Sequence, residues 1–140
     1  MNLYIPVLIV VLSNTIYHIC SKSTPEGINT FASLTITYVV GAIVSLALYF
    51  ITKKDGNLLV EYRQLNWASF GLGVAIVGLE AGFLLMYKAG WSVSTAQIVT
   101  SAVLAIVLII VGYAMFHEAI TWQKVVGVLV CLAGLYLINQ

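Results

Sequence analysis

The chain has 140 residues, of which 61% are hydrophobic and 8% are charged, and its net charge is +1. Soluble domains carry about 25% charged residues, so the composition excludes an ordinary water-soluble fold and indicates a chain solvated by lipid. The small net charge provides no basic surface for nucleic acid, and we expect no nucleic-acid partner.

Long apolar segments recur along the whole chain. They reach the roughly 20 residues that a helix needs to cross a bilayer, and they lack the alternating polarity of barrel strands. A helix also bonds its own backbone polar groups, as lipid requires. The sequence therefore predicts an all-α membrane protein with a single domain over 1–140, whose five transmembrane helices cover about 3–21, 28–52, 66–88, 92–116 and 121–139.

The first predicted helix carries a polar stripe. It has no basic start and no small-residue cleavage site, so we expect a retained helix rather than a signal peptide. Asn14, His18 and Lys22 follow one another at intervals of four residues and share one face, with Tyr17 beside them. Such a stripe suits a substrate-filled cavity or hydrogen bonds between helices. Asn14, Tyr17 and His18 are candidate binding residues.

The third predicted helix contains Glu80, which is the acid within the predicted spans. Placing an ionised carboxylate near the middle of a bilayer costs about 2.5–3.5 kcal/mol, so such a residue suggests a function. A proton and a cationic substrate could compete for it, which would make Glu80 a coupling residue. Alternatively, a protonated Glu80 bonds a neighbouring helix. Gly78 and Gly82 would let another helix or a ligand approach closely.

The fourth predicted helix begins polar and becomes aliphatic after Ser101. Gln97, in its polar half, is predicted to face a binding pocket, and Trp91, in the break before the helix, to supply an aromatic side chain. Gly127 and Gly134 lie seven residues apart on one face of the fifth predicted helix. This smooth face favours self-association, with packing inside the chain as the alternative.

Metal and redox chemistry have little support in the sequence. Cys20 and Cys131 lie in apolar stretches without metal-ligand spacing, and we interpret them as buried small hydrophobic residues. His18 has no second imidazole or thiolate on its face. No nucleophile–base pair falls within any span. We therefore expect no metal, no cofactor and no enzyme activity.

The number of helices has a topological consequence, because an odd number places the two termini on opposite sides of the membrane. The side holding the N-terminus carries Lys53, Lys54, Arg63 and Lys124, whereas the other side carries Lys22 and Lys88. This excess favours an N-terminus inside the cell. It is small enough that insertion in both orientations, or dual topology, remains a hypothesis.

Several short motifs together resemble a known family. The stretch Leu85-Met86-Tyr87-Lys88-Ala89-Gly90 is followed by Ser92, Ser94, Thr95 and Ala96, then by His117-Glu118-Ala119-Ile120-Thr121-Trp122-Gln123-Lys124 and by Gly127 and Ala133-Gly134. In order and spacing they resemble the EamA-type domain of the drug/metabolite transporter superfamily. The likeness covers about 66–139 well and the first two helices in pattern. The usual Gly-Glu of the family appears here as His117-Glu118.

The last predicted helix also resembles that of the small multidrug resistance proteins, which dimerise through it. In those proteins a glutamate of the first helix binds both the proton and the cationic drug. This sequence has Asn14 at the matching position. The resemblance therefore implies that Glu80, on another helix, supplies the carboxylate, or that proton coupling is absent.

The EamA resemblance implies a function and a partner. Most such proteins join two five-helix halves in inverted orientation, and this chain has one half. An antiparallel homodimer, or pairing with a homologous second half, is therefore expected. The implied activity is secondary active export of a small metabolite or drug, cationic or amine-bearing, by alternating access across the cell (inner or plasma) membrane. The alternatives are a lipid-linked metabolite flippase, a uniporter and a non-transporting regulatory subunit.

Overall fold

A computed structural model describes residues 4–53 and 56–138 of the chain. Its helices are α1 (Tyr4–Lys22), α2 (Thr30–Thr52), α3 (Leu58–Tyr62), α4 (Trp67–Lys88), α5 (Val93–Phe116) and α6 (Trp122–Ile138), and the described residues form no strand. The predicted helix ends at residues 3 and 139, and the loop residues Lys54 and Asp55, lie outside this description.

Four helices, α1, α2, α4 and α5, are long and apolar enough to cross a bilayer. Among the described residues, the apolar stretch of α6, Trp122–Gly134, is shorter than such a span. Most large apolar side chains of these helices point outward. In water so much exposed apolar surface would promote aggregation, whereas lipid covers it in a membrane. The chain is thus an all-helical protein with several membrane spans.

Polar side chains mark the starts of four helices. Asn29, Asn57 and Asn66 accept backbone N–H bonds at the first turns of α2, α3 and α4, and Ser92 does the same for α5. These caps satisfy donors that have no partner inside the helix. Hydroxyls within α2 bond back to the preceding turn, as Thr35 does to the Phe31 carbonyl at 3.0 Å, so they add little polarity to the lipid-facing surface.

The chain divides into two compact units, Met1–Ala89 and Gly90–Gln140. In the first unit, α4 contacts both α1 and α2. Its small buried core consists of Leu34, Ala81 and Leu84, with Tyr38 packed against it. The short helix α3 lies in the long loop after α2, where Glu61 accepts an ion-paired hydrogen bond from Lys53 and raises the pKa of that exposed ammonium.

The second unit is a helical hairpin of α5 against α6. The turn begins at His117, whose φ of 52° lies in the left-handed region, and the Glu118 N–H donates to the Gly112 carbonyl at 3.0 Å. The Glu118 carboxylate lies over Gly112, where an added Cβ would approach Oε2 to 3.2 Å. Lys124 pairs with Glu118 at 3.3 Å. The Glu118 side chain therefore packs directly against Gly112, where a larger residue would leave it less room.

Replacing His117 by glycine is expected to stabilise the hairpin turn. A left-handed conformation costs an L-residue roughly 1–2 kcal/mol, and glycine avoids this cost while losing some freedom on folding. We expect a net gain of about 0.5–1 kcal/mol. Thermal unfolding of the detergent-solubilised protein measures the change, and His117→Val, with a β-branched side chain in the same position, should destabilise. A glycine variant less stable than the parent would contradict this interpretation.

Candidate functional site

An open cavity of about 260 Å³ lies among the first three long helices. Its walls come from α1, the turn that follows α1, α2 and α4, and they combine one carboxylate and several hydroxyls with apolar groups. They are Tyr17, Cys20, Ser21, Thr24, Ser33, Leu34, Thr37, Glu80 and Leu84. All of them belong to the first compact unit.

The cavity lies towards one end of the three helices that line it. Its α1 residues lie in the last third of that helix, its α2 residues near the start of α2, and its α4 residues in the second half of α4. Glu80 is eight residues before Lys88 and thirteen after Trp67. At 1.5 Å per residue it is about 12 Å from one end of α4 and about 20 Å from the other. The cavity therefore opens towards the α1–α2 turn, with Glu80 at its inner end.

Buried polar atoms cluster around Glu80. Glu80 Oε2, Tyr17 Oη and Tyr38 Oη are shielded from solvent, and none has a partner at hydrogen-bond geometry among the described residues. Tyr38 is still close enough to Glu80 for the two side chains to interact electrostatically. Buried polar groups in native proteins are normally satisfied. Tyr17 and Glu80 also line the cavity, so their hydroxyl and carboxylate are groups that a polar ligand would bond.

His18 lies beside the cavity rather than among its lining residues. Its side chain is buried, and its Nδ1 is 2.6 Å from the hydroxyl of Tyr87 on α4. Its ring also meets Phe83 edge to face at 4.8 Å and Tyr17 at 5.0 Å between centroids. His18 thus joins α1 to α4 through a hydrogen bond and aromatic packing.

The end of α1 is fixed to α4 next to this pair. The Lys22 ammonium donates to the backbone carbonyl of Tyr87 at 3.4 Å and lies 5.7 Å from the centroid of its ring. The Lys88 ammonium donates to the carbonyl of Ile28 in the α1–α2 turn. Lipid supplies no hydrophobic force that would hold one helix against another, so polar contacts such as these two help to hold the helices together at the mouth of the cavity.

The structure brings together two of the six candidate residues, Tyr17 and Glu80, as walls of one cavity. Asn14, one turn before His18 on α1, is half-buried. Gln97 and Trp91 belong to the second unit. Gln97 donates to Ser101 on its own helix at 3.1 Å.

The small residues of α6 present an open face. A Cβ added at Gly127 or at Gly134 would meet no described atom within 4 Å. These glycines therefore do not serve packing among the described residues, and their face remains available to another helix.

The prediction that the two cysteines are buried was wrong. Cys20 and Cys131 are both exposed, and Cys20 lines the cavity.

The α2 wall was missed by sequence reasoning. Ser33 and Thr37 are four residues apart and line the cavity, while Leu34 and Tyr38, at the same spacing, pack towards α4. This is the periodicity that identified the polar stripe of the first helix. Hydroxyl residues give a weak signal in a sequence because they often bond their own helix, as Thr37 does to the Ser33 carbonyl at 3.3 Å.

Comparison with known proteins gives one finding. The profile of the EamA-like transporter family matches residues 2–140, nearly the whole chain. No curated protein and no solved structure gives a significant match. The likeness of the last helix to small multidrug resistance proteins is not part of this match and stays a prediction.

Proposed function

Because the chain belongs to the EamA-like transporter family, within the drug/metabolite transporter superfamily, we propose that it is a secondary active exporter of small amine-bearing or cationic compounds. The observation that carries this proposal is the position of Glu80, at the inner end of a 260 Å³ cavity with hydroxyl-bearing walls. A single carboxylate at that depth attracts a cation and disfavours an anion.

In this proposal a proton and the substrate compete for Glu80. Charge at this depth is costly, so the carboxyl is stable either when protonated or when paired with an ammonium group. Tyr17 and Tyr38 supply hydroxyls next to it, and Ser33 and Thr37 bind polar parts of the substrate along the wall. Release of the substrate then requires a proton to replace it, which couples the two fluxes.

Reconstituted transport tests the function. Liposomes holding the protein, with an acidic interior, should accumulate labelled choline, tetraethylammonium or aminooctanamide as protons leave. Protein-free liposomes and collapse of the pH gradient are the controls. No protein-dependent uptake of any of these probes would overturn the proposal. Uptake that ignores the pH gradient would instead favour a uniporter or flippase.

We further propose that α6 is the fifth span and that two copies assemble in opposite orientations in the cell membrane. The open Gly127 and Gly134 face supports close contact between two α6 helices. Two inverted copies would create cavities facing opposite sides, as alternating access requires. Asn14, Trp91 and Gln97 stay proposed substrate-binding residues, each within its own unit.

Labelling of the termini is expected to show both orientations. Single cysteines added at each terminus, in a variant lacking Cys20 and Cys131, should react with a membrane-impermeant maleimide in about half of the molecules on intact cells. Gly134→Leu should reduce the dimer fraction by placing a bulky side chain on the contact face, whereas Leu129→Ala, at an exposed position, should not. A single fixed orientation would exclude the antiparallel homodimer.

A further inference from the structure

A second, smaller recess adjoins the mouth of the cavity. It measures about 60 Å³ and shares Ser21, Thr24 and Leu84 with the larger cavity. Its charged residues are Lys22, Glu26 and Lys88. Two lysines and one glutamate line this recess, so the formal charge of its lining is +1. The inner end of the site thus carries an acid, and its mouth carries an excess of base.

The ammonium groups of both lysines contact backbone carbonyls of the protein, although Lys22 itself is exposed. Lys22 donates to the carbonyl of Tyr87 at 3.4 Å, and Lys88 donates to the carbonyl of Ile28. Each carbonyl helps to orient the ammonium group that donates to it. An ammonium held in this way loses less side-chain freedom when it binds an anion.

From this geometry we propose that the ligand is an elongated amphoteric compound, whose amine pairs with Glu80 while a carboxylate or phosphate at its other end binds Lys22 and Lys88. The inference rests on the proposed function of Glu80. It names a ligand class with two opposite charges, and it places the second contact at a site distinct from the first.

The helix geometry sets the length of this compound. Glu80 and Lys88 are eight residues apart on α4, which is about 12 Å along the axis. An α-amino acid carries its two charges on neighbouring carbons and cannot reach both ends. The wall between them offers the hydroxyl of Ser21 and the apolar surface of Leu84, which suits a chain of mixed polarity.

Uptake of a matched pair of probes tests the inference. Aminooctanoate and aminooctanamide have the same length and the same amine, and they differ in whether the far end is charged. In proteoliposomes the parent should take up the acid with an apparent affinity about tenfold better than the amide, because charge-assisted hydrogen bonds are stronger than neutral ones. The readout is the ratio of the two affinities. In Lys22→Gln/Lys88→Gln this ratio should fall to about one, whereas Lys53→Gln/Lys124→Gln should keep it.

Chain length gives a second readout that needs no variant. In the parent, the preference for acid over amide should be small for aminobutanoate and its amide and large for the octanoate pair, because only the longer acid spans the site. Equal uptake of acid and amide at every length would overturn the inference while leaving the proposed function intact. A preference that survives in the double lysine variant would also overturn it, because the carboxylate would then be bound elsewhere. Failure of the parent to take up either probe would overturn the inference, and failure to take up choline and tetraethylammonium as well would overturn the proposed function.

Discussion

Replacing Glu80 by glutamine is expected to abolish proton-driven uptake of choline, tetraethylammonium and aminooctanamide. Glutamine has nearly the same shape but can neither pair with a cation as an anion nor release a proton. Loss of a charged hydrogen-bond partner weakens binding by roughly 1.5–3 kcal/mol, or about 10- to 100-fold in affinity. Without an exchangeable proton, the variant should also lose accumulation against a gradient altogether.

Two controls separate this effect from a folding defect. Glu61→Gln removes a carboxylate of the loop after α2, outside the spans, and should transport as the parent does. Glu80→Asp keeps the ionisable group on a shorter side chain and should retain coupled uptake at a reduced rate. Undiminished, gradient-driven uptake by Glu80→Gln would show that coupling does not pass through Glu80.

The His18–Tyr87 pair is expected to have the largest effect on stability. Tyr87→Phe removes the hydroxyl 2.6 Å from Nδ1 and leaves a buried imidazole without this partner. Stranding a buried polar group costs about 1–3 kcal/mol, and hydrogen bonds between membrane helices average about 0.6 kcal/mol with a maximum near 1.7. We expect Tyr87→Phe to destabilise the protein by about 1–2 kcal/mol.

A double-mutant cycle tests whether this loss reflects the bond itself. His18→Phe removes the imidazole but keeps an aromatic ring against Phe83, and combined with Tyr87→Phe it should cost less than the sum of the two single changes. Unfolding in mixed detergent measures all three variants. Tyr113→Phe, at a side chain 60% exposed on α5, is the matched control. Additive losses would mean that the two side chains stabilise the helices independently.

The fold could be predicted wherever the sequence carries a strong physical signal. Apolar length identified four spans, and the polar breaks between them place the helix starts close to the Asn and Ser caps. The fifth predicted span is not among these four, because the apolar stretch described in α6, Trp122–Gly134, is shorter than a span. Length of an apolar run is thus a reliable guide only when the run clearly exceeds the bilayer thickness.

The candidate site could be predicted only in part from the sequence. Glu80 stands out because a carboxyl inside an apolar run is rare and costly. The sequence also placed His18 on a polar face but could not show that its partner is Tyr87, sixty-nine residues further on. Tyr38 and the α2 hydroxyls were missed, since their role depends on which face of α2 meets α4. Pairings between distant helices depend on packing, which the spacing within one helix does not encode.

His117 shows how a departure from a family pattern can be explained by backbone geometry. Members of the family usually have glycine at this place, and the φ of 52° here is one that glycine adopts without strain. Histidine tolerates this region better than most residues. Histidine in place of glycine therefore affects the stability of the turn but not its shape. The Glu118 N–H still donates to the Gly112 carbonyl, and the Glu118 carboxylate still lies against Gly112.

The most direct measurement is the number of protons released when aminooctanamide binds the purified protein in nanodiscs. Heats of binding in buffers with different ionisation enthalpies give this number from acidic to neutral pH. Competition at Glu80 predicts a release that approaches one proton per bound amine at the acidic end, and none in Glu80→Gln. Amine binding that releases no proton from the parent at any pH in this range would contradict it.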